Sequence, residues 1–296
     1  MKQKLTIATC LLLVAQSDAA PSGTLYSIGS PTAKEQLYVE LINRARLNPP
    51  AEGIRLDGYY NTQTDIFAAY DEFGVDRTMM KSEFNAIAAA QPLSISAKLT
   101  TAARLHSQYQ IDSDQQTHTG SGSTITGQRV TAAGYSWSTV GENVFASSNR
   151  PLHGHAAFNV DWGGGSGGMQ TGRGHRANIN NDSFREIGIG NKTSAETTIP
   201  SGNLTATGAE IVTQDFAAPS SGATPFITGV VYYDLNGNSF YDIGEGIGGV
   251  SVGVTGSTFY AVTAASGGYS VPVPGNGTYP VEFWMPGASS ASHSTS

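Results

Sequence analysis

The chain is organised around the run from Thr117 to Gly190, which contains Thr117-His118-Thr119-Gly120, Gly141-Glu142-Asn143, Phe158-Asn159-Val160-Asp161-Trp162, Gly174-His175-Arg176-Ala177-Asn178-Ile179 and Phe184-Arg185-Glu186-Ile187-Gly188-Ile189-Gly190. Two histidines and two carboxylates lie in four of these blocks, each beside a glycine or an aromatic residue. They are too far apart in sequence to meet within one helix or strand. We therefore expect the fold to bring together around one cleft His118, Glu142, Asp161 and His175.

Composition limits the classes of function. The 296 residues are enough for one large or two modest domains with real cores. Only 13% of the residues are charged and 36 are glycine, which is typical of a loop-rich extracellular protein. The formal net charge of -7 provides no electrostatic attraction for nucleic acid or an anionic membrane, so we expect neither as a partner.

The N-terminus has the pattern of a secretory signal peptide over residues 1–19. Lys2 and Lys4 precede an apolar run from Leu5 to Ala15, and small residues end the segment at Ala19. The run is shorter than the roughly 20 residues that span a bilayer, so we expect secretion and no membrane span. The single cysteine, Cys10, lies inside this segment, which leaves the mature chain without disulfides.

Helix signals follow a linker that we place at residues 20–31. Thr32 and Glu35 form a capping-box pattern, and Asn48-Pro49-Pro50 predicts the end of that first helix. The weakly patterned residues 51–90 predict partial helix with irregular structure.

Further helices are predicted from about Ser96, from Thr126 to Ala133 before Gly134, and from Pro151 to Trp162. Alternating apolar residues predict strands at Glu186–Gly190 and Glu210–Phe216. Helices before strands indicate an α+β fold rather than a parallel βαβ sheet.

The blocks above, together with the helix Glu35–Pro49, resemble the bacterial branch of the CAP superfamily (cysteine-rich secretory proteins, antigen 5 and pathogenesis-related proteins; the SCP domain). The resemblance covers residues 32–217 and implies a three-layer α-β-α sandwich with a cleft lined by two histidines and two acids. By position these are His118, Glu142 in a Gly-Glu-Asn turn, Asp161 and His175. The family pattern has glutamate where this chain has Asp161, a carboxylate one methylene shorter.

Such a tetrad allows three kinds of chemistry. Two neutral imidazoles bind zinc or a similar divalent metal, with the carboxylates as partners of the histidines or as a general base. Alternatively, each histidine and acid pair simply holds loops together, or the site is catalytic. Two histidine ligands fall short of the usual three of a catalytic zinc site, so an enzyme is the least favoured interpretation.

Other polar residues around this region have simpler predicted roles. His106 is expected at the edge of the core, and Arg176 is expected to pair with an acid. His153 and His155 are expected at the surface, although His155 could extend a metal site. No Gly-x-Ser-x-Gly motif supports a serine hydrolase.

The C-terminal part of the chain has a different pattern. After a linker at residues 218–225, residues 226–284 contain five short strand-like runs, namely Ile227–Tyr233, Val250–Val254, Tyr260–Ala264, Tyr269–Val273 and Tyr279–Phe283. We therefore expect a small all-β domain. The Ser-rich residues 285–296 are expected to form a disordered tail.

A twelve-residue loop in this domain has the ligand spacing of a calcium site. Positions 1, 3, 5, 9 and 12 carry side-chain oxygens and position 7 supplies a backbone carbonyl; these residues are Asp234, Asn236, Asn238, Asp242, Glu245 and, at position 7, Phe240. Ser239 occupies position 6, where glycine is usual, so strain is expected there. With Gly248-Gly249-Val250, the unit resembles the calcium-stabilised B-type β-sandwich repeats of bacterial surface adhesins.

The sequence thus predicts a secreted bacterial protein that pairs a CAP domain with a calcium-binding β-sandwich. The CAP resemblance implies a binding protein whose cleft takes a metal or a small apolar or peptide ligand. Two alternatives stay open: a metal-dependent hydrolase that uses His118 and His175, and a structural adhesion or matrix protein with a cell-surface partner.

Overall fold

The computed structural model describes residues 22–193, 210–222, 224–285 and 291–295. Within these residues, the chain folds into two compact units. One combines residues 22–40 with the described residues from 224 onward, and the other is formed by the described residues from 41 to 222. The predicted signal peptide lies outside the described residues.

Helices dominate the first half of the described chain and strands the second. The helices are α1 Ala33–Leu47, α2 Pro49–Thr62, α3 Thr64–Phe73, α4 Arg77–Asn85, α5 Ala97–Ser113, α6 Thr126–Ala132, α7 Pro151–Ala156 and α8 Gly174–Asn180. The strands are β1 Thr24–Leu25, β2 Ser94–Ile95, β3 Trp137–Ser148, β4 Glu186–Thr193, β5 Glu210–Pro219, β6 Phe226–Val230, β7 Ser251–Val254, β8 Phe259–Val262, β9 Gly268–Pro272, β10 Tyr279–Trp284 and β11 Ala291–Thr295.

The larger unit contains a four-stranded sheet in the order β2-β4-β5-β3. β2 pairs with β4 in parallel, and β5 pairs antiparallel with both β4 and β3. Helices and one mixed sheet in this unit are consistent with the predicted α+β class. The expectation of a turn at Gly141-Glu142-Asn143 is wrong, because these residues lie within β3. Because these residues are polar, the sequence contains no apolar alternation that predicts this strand, whose residues range from exposed to buried.

Two glycines of β4 let helix α5 lie directly on the sheet. A Cβ on Gly188 would stand 2.0 Å from the backbone of Leu99, and a Cβ on Gly190 would stand 2.3 Å from the backbone of Ala103. No side chain fits in that space, since real Cβ atoms do not approach backbone closer than about 3 Å. The Gly-Ile-Gly spacing is therefore a packing requirement for α5.

The weakly patterned region 51–90 is more regular than expected. It forms α2, α3 and α4, where Asn48 caps α2 and Asp76 caps α4. Their apolar side chains join one core cluster with α7 and the turn after it; its fully buried members include Leu56, Ile66, Tyr70, Met80, Phe84 and Val160. Packing within this cluster stabilises helices whose local pattern is weak.

The helix predicted from Pro151 to Trp162 changes geometry before its end. It is α-helical to Ala156 and then forms a π-helical turn over Ala157–Asp161. Asp161 closes the turn with φ +58°, a left-handed conformation that aspartate tolerates better than most residues. Turns of this kind often lie at functional sites.

The smaller unit contains the predicted capping box at the start of α1. Thr32 N donates to Glu35 Oε2 at 2.7 Å, and Glu35 N donates to Thr32 Oγ1 at 3.2 Å. Each of the five strand-like runs predicted between residues 226 and 284 overlaps a strand, with shifted ends. These strands form a sheet in the order β1-β8-β7-β10-β11 and a separate β6-β9 pair. Both contribute to one apolar cluster around Val252, Val271 and Val281.

Both ends of the described chain are more regular than predicted. Within the expected linker, Thr24–Leu25 form β1, which pairs in parallel with β8. Within the expected disordered tail, Ala291–Thr295 form β11, which pairs antiparallel with β10. Backbone pairing at an open sheet edge needs no apolar pattern, so neither strand is visible in composition.

In the part of the chain that the structure describes, no helix has the length and apolar character needed to cross a bilayer.

Candidate functional site

The first half of the site pairs an exposed histidine with a buried carboxylate. His118 Nδ1 donates to Glu142 Oε1 at 2.9 Å. The His118 side chain is 59% exposed, whereas that of Glu142 is 2% exposed. The acid therefore holds one edge of the imidazole and leaves the other edge toward solvent.

Two residues that belong to none of the sequence motifs complete the surroundings of Glu142. Arg129 of α6 forms an ion pair with Glu142 Oε2 and donates to the His118 carbonyl at 3.0 Å. His106 Nε2 lies 3.8 Å from Glu142 Oε1 and donates to the Thr117 carbonyl at 2.7 Å. His106 is buried, as predicted. The one sequence feature that could have suggested a role for Arg129 is that it is the only basic residue on a short predicted helix.

Glu142 is ionised in these surroundings. Burial alone would raise its pKa, but the hydrogen bond from His118 and the charges of His106 and Arg129 hold the pKa below its usual range. Burial also lowers the pKa of His106, because the charged imidazolium would lose its hydration. The Glu142 carboxylate therefore faces the guanidinium of Arg129 as an ion pair.

The second half of the site has the same design. His175 Nδ1 donates to Asp161 Oδ1 at 2.7 Å, and the His175 backbone N–H donates to Asp161 Oδ2 at 3.0 Å. The side chain of Asp161 is 1% exposed and that of His175 is 20% exposed. Although one methylene shorter than glutamate, Asp161 reaches the imidazole from the left-handed end of the π-helical turn. Phe158 packs edge-on against the His175 ring at 5.3 Å.

Asparagine side chains connect the two halves. Asn143 Nδ2 donates to the His175 carbonyl at 3.1 Å, and Asn178 Nδ2 donates to the Glu142 carbonyl at 3.1 Å. Asn178 Nδ2 also donates to Asn143 Oδ1 at 2.9 Å. The residues that follow Glu142 and His175 in the two motifs thus tie β3 to α8.

Arg176 anchors the start of α8, as predicted from its position after His175. It forms an ion pair with Glu83 and donates to the carbonyls of Asn159 at 2.5 Å and Val160 at 2.8 Å. Arg173 also pairs with Glu83 at 2.9 Å. Burial would raise the pKa of Glu83, but the two guanidinium groups hold it below its usual range. These contacts fix the π-helical turn next to His175.

The surface placement expected for His153 and His155 is wrong. Both residues are buried, and His155 Nε2 donates to the fully buried Glu52 at 2.9 Å. Arg44 makes two further bonds to Glu52, at 2.7 and 2.9 Å. His155 is thus part of an internal ion cluster. The glycine between the two histidines did not allow their burial to be predicted from the sequence.

The residues of the two halves provide few donor atoms for a metal ion. Because Nδ1 of each imidazole donates to a carboxylate, Nε2 of His118 and His175 carries the lone pair that a metal accepts. Throughout the described ranges, no group of three or more His, Cys, Asp or Glu side chains is arranged to hold a metal ion. Each half therefore presents one imidazole Nε2 that is not bound to its carboxylate partner.

The loop from Asp234 to Glu245 is wound around its acidic ends. Asp234 Oδ1 accepts from Gly237 N at 2.8 Å, and Asp234 Oδ2 accepts from Ser239 N at 2.9 Å. Glu245 Oε1 accepts from Leu235 N at 2.9 Å. Ser239 has φ +60°, the left-handed conformation that the calcium-loop pattern assigns to glycine.

The middle of this loop converges on one carboxylate oxygen. Asn236 Nδ2 and Asn238 Nδ2 donate to Asp242 Oδ2 at 2.8 and 2.6 Å. Three residues of the predicted ligand set thus meet at one point, with amide hydrogens in contact with the carboxylate.

Comparison with known proteins agrees with the sequence motifs. A family model described as "CAP: Cysteine-rich secretory protein family" matches residues 39–216. A search of curated proteins finds no match. A solved structure titled as an extracellular protein containing a SCP domain, from Bacillus anthracis str. Ames, is similar at 17% sequence identity and a TM-score of 0.32. The match covers 51% of this chain and 39% of that protein. Because the family model spans more than half of the sequence, this chain belongs to the cysteine-rich secretory protein (CAP) family.

Proposed function

We propose that this protein is an extracellular CAP-domain binding protein that holds a divalent transition metal such as zinc at His118 and His175. The observation that carries the proposal is the pairing of each imidazole Nδ1 with a buried carboxylate. Such carboxylate–histidine pairs set the tautomer that presents Nε2 to a metal and make that nitrogen a better donor. The N-terminal signal pattern supports export.

A bound metal would supply Lewis acidity at the surface of the site, toward an oxygen or nitrogen atom of a small ligand. Glu142 and Asp161 would orient the imidazoles, and Arg129 would keep the Glu142 carboxylate in place. Two protein nitrogens are fewer than the three protein ligands usual in catalytic zinc sites. We therefore propose binding of a small molecule or peptide rather than hydrolysis.

Zinc titration calorimetry on the chelator-treated mature chain tests this function. We expect about one equivalent of zinc to bind, and we expect the heat of binding to be lost in the double variant His118→Ala/His175→Ala. The variants Glu142→Gln and Asp161→Asn should each weaken binding by about 10- to 100-fold, since only the orienting partner changes. Asp112→Asn, at an exposed acid of α5, is the control. Unchanged zinc binding in the double variant would refute the assignment.

We also propose that the C-terminal strands form a calcium-stabilised β-sandwich that serves extracellular or surface attachment. The convergence of Asn236, Asn238 and Asp242 supports the loop as a cation site, because calcium prefers several such oxygen ligands. On calcium binding, the two amides would turn their oxygens toward the ion in place of their N–H groups.

Thermal melting with and without a calcium chelator tests the loop. We expect the chelator to lower the melting temperature of the C-terminal unit, because binding to the folded state alone stabilises that state. Asp234→Ala/Asp242→Ala should abolish the calcium dependence, whereas Glu282→Gln, at an exposed acid on β10 of the same unit, should keep it. A chelator effect that is the same in all three proteins would rule out this loop as the site.

A further inference from the structure

The C-terminal unit contains two Asn-Gly steps, Asn236-Gly237 and Asn276-Gly277, and all four residues are exposed. An asparagine before glycine is prone to lose its amide group, because glycine has no side chain to hinder attack by its own backbone nitrogen. The nitrogen reacts with the side-chain carbonyl carbon of the asparagine only when both groups are free of other contacts. Since the two dipeptides are identical, the fold decides which of them reacts.

At Asn236-Gly237, hydrogen bonds hold both reacting groups. The Gly237 N–H donates to Asp234 Oδ1 at 2.8 Å. The Asn236 amide is fixed at both ends, since Nδ2 donates to Asp242 Oδ2 at 2.8 Å and Oδ1 accepts from Asn238 N at 3.0 Å. Removal of the Gly237 proton would place an amide anion beside a carboxylate, and two like charges in contact repel each other.

At Asn276-Gly277, neither reacting group is held. The step lies in the turn between β9 and β10, and within the described residues neither the Asn276 side chain nor the Gly277 N–H makes a hydrogen bond. The turn is instead fixed beside the step, where the Tyr279 hydroxyl donates to the Gly275 carbonyl at 2.7 Å. The atom nearest to a Cβ built on Gly277 is 3.5 Å away, in Tyr279, so no neighbour crowds this residue.

We propose that Asn276 is a site of spontaneous deamidation in the folded protein, and that the Asp234 carboxylate protects Asn236 from the same reaction. The Gly277 nitrogen gives its proton to a base in the solvent and attacks Asn276 Cγ. A new C–N bond forms, the Cγ–Nδ2 bond breaks, and ammonia leaves with a proton from water. Water then opens the cyclic imide on either side, which gives aspartate or isoaspartate without any oxidant or reductant.

The reaction changes the turn in charge and in length. It places a negative charge just before β10, the strand that pairs with both β7 and β11. The isoaspartate product also adds a methylene group to the backbone between β9 and β10. The proposal does not depend on calcium, because the hydrogen bonds that hold Asn236 and Gly237 join protein atoms alone.

Peptide mass spectrometry of the full mature chain, aged at mildly alkaline pH with a calcium chelator, measures both sites in one sample. Cleavage after glutamate separates the two steps, because Glu245 lies between them and Glu282 follows the second. Each deamidation adds one dalton to its peptide, and fragment spectra assign the modified residue. Protein unfolded in urea gives the reference rate of each site.

In the folded protein, we expect Asn276 to react at close to its unfolded rate. Asn236 should react about tenfold or more below its unfolded rate, because its reaction requires local opening of the loop. Two variants exchange these results. Asp234→Ala should accelerate the loss of Asn236 and leave Asn276 unchanged, whereas Gly277→Ala, at an uncrowded position, should slow Asn276 and leave Asn236 unchanged.

Equal ratios of folded to unfolded rate at the two sites would overturn the proposal. So would slow loss of Asn276 in the folded wild-type protein, or an Asn236 that stays protected in a folded Asp234→Ala variant. If thermal melting shows that Asp234→Ala does not fold, the wild-type ratios decide the question by themselves.

Discussion

Each imidazole of the candidate site is fixed by one buried oxygen atom. Glu142 Oε1 and Asp161 Oδ1 accept from Nδ1 of His118 and His175. These four residues could be predicted from the sequence, since their blocks follow a family order. The sequence also shows that Asp161 replaces the longer glutamate. The left-handed backbone of Asp161 could not be predicted, because it depends on the π-helical turn before it.

The residues that the sequence motifs missed have in common that their partners are distant in sequence. Arg129 and His106 belong to no motif and meet Glu142 only through the fold, and Asp215 on β5 lies in register with Glu142 on β3. A signal did exist for Asp215, which is an acid within the apolar alternation of a predicted strand. Such a residue either faces water or has an internal partner, and the sequence does not distinguish the two.

A pH effect is predicted at Glu40, in the smaller unit. Burial raises the pKa of Glu40 from 4.5 to about 7, and the hydrogen bond from Gln36 offsets only part of that. Below about pH 4.5 the Glu40 carboxyl is protonated in both the folded and the unfolded chain, and its burial removes no charge from water. As pH rises toward 7, the unfolded chain ionises first, so the folded state loses stability relative to the unfolded state. Glu40→Gln should therefore raise the free energy of unfolding at pH 7 by about 1 to 2 kcal/mol, less than the full shift implies because Glu40 is half-buried.

Urea denaturation of wild type and Glu40→Gln at pH 4, 5, 6 and 7 measures this effect. The two proteins should differ least at pH 4 and most at pH 7. Equal stability at every pH would show that the Glu40 carboxyl is hydrated in the folded protein.

The two halves of the site lie on two different secondary-structure elements, which are joined by asparagine hydrogen bonds. β3 carries Glu142, α8 carries His175, and Asn143 with Asn178 joins the two elements. Long periodic elements such as α1, α5, β4 and β5 could be predicted from pattern alone. β3 could not, because Glu142 and Asn143 are polar residues that are buried in the fold. Helices α2 to α4 depend on packing that no local pattern contains.

The packing of α5 on β4 leads to a paired prediction on glycine. Gly190→Ala should lower the free energy of unfolding by about 2 kcal/mol or more, because the new Cβ would overlap the α5 backbone. Gly58→Ala, in α2 with no atom within 4 Å of a new Cβ, should raise it by about 0.5 to 1 kcal/mol. Chemical denaturation of both variants gives the comparison. Equal effects would mean that α5 does not lie against β4 as described.

At the scale of the whole molecule, residues that are far apart in the sequence belong to the same compact unit. The CAP family match begins at residue 39, and the described residues before 41 group with the C-terminal strands. The sequence prediction places the start of the CAP domain at residue 32, where the resemblance to that family begins. Helix α1 contributes residues to both units.

Stability of the folded chain rests on burial and, by our proposal, on calcium. The one cysteine of the sequence is Cys10, so the residues after the predicted signal peptide contain no thiol for a disulfide. The apolar cluster around Val252 is small, and small domains of this kind commonly need an added ion or cross-link. The chelator experiment above applies to this unit first.

The tautomers of His118 and His175 decide whether the proposed metal site is built as described. Long-range ¹H–¹⁵N spectra of the histidine-labelled, metal-free protein at pH 8 show which ring nitrogen carries the proton. We predict Nδ1–H tautomers for both residues, with a zinc-induced shift at each Nε2. If both rings carry the proton on Nε2, the carboxylates do not hold Nδ1, and the metal site proposed here is wrong.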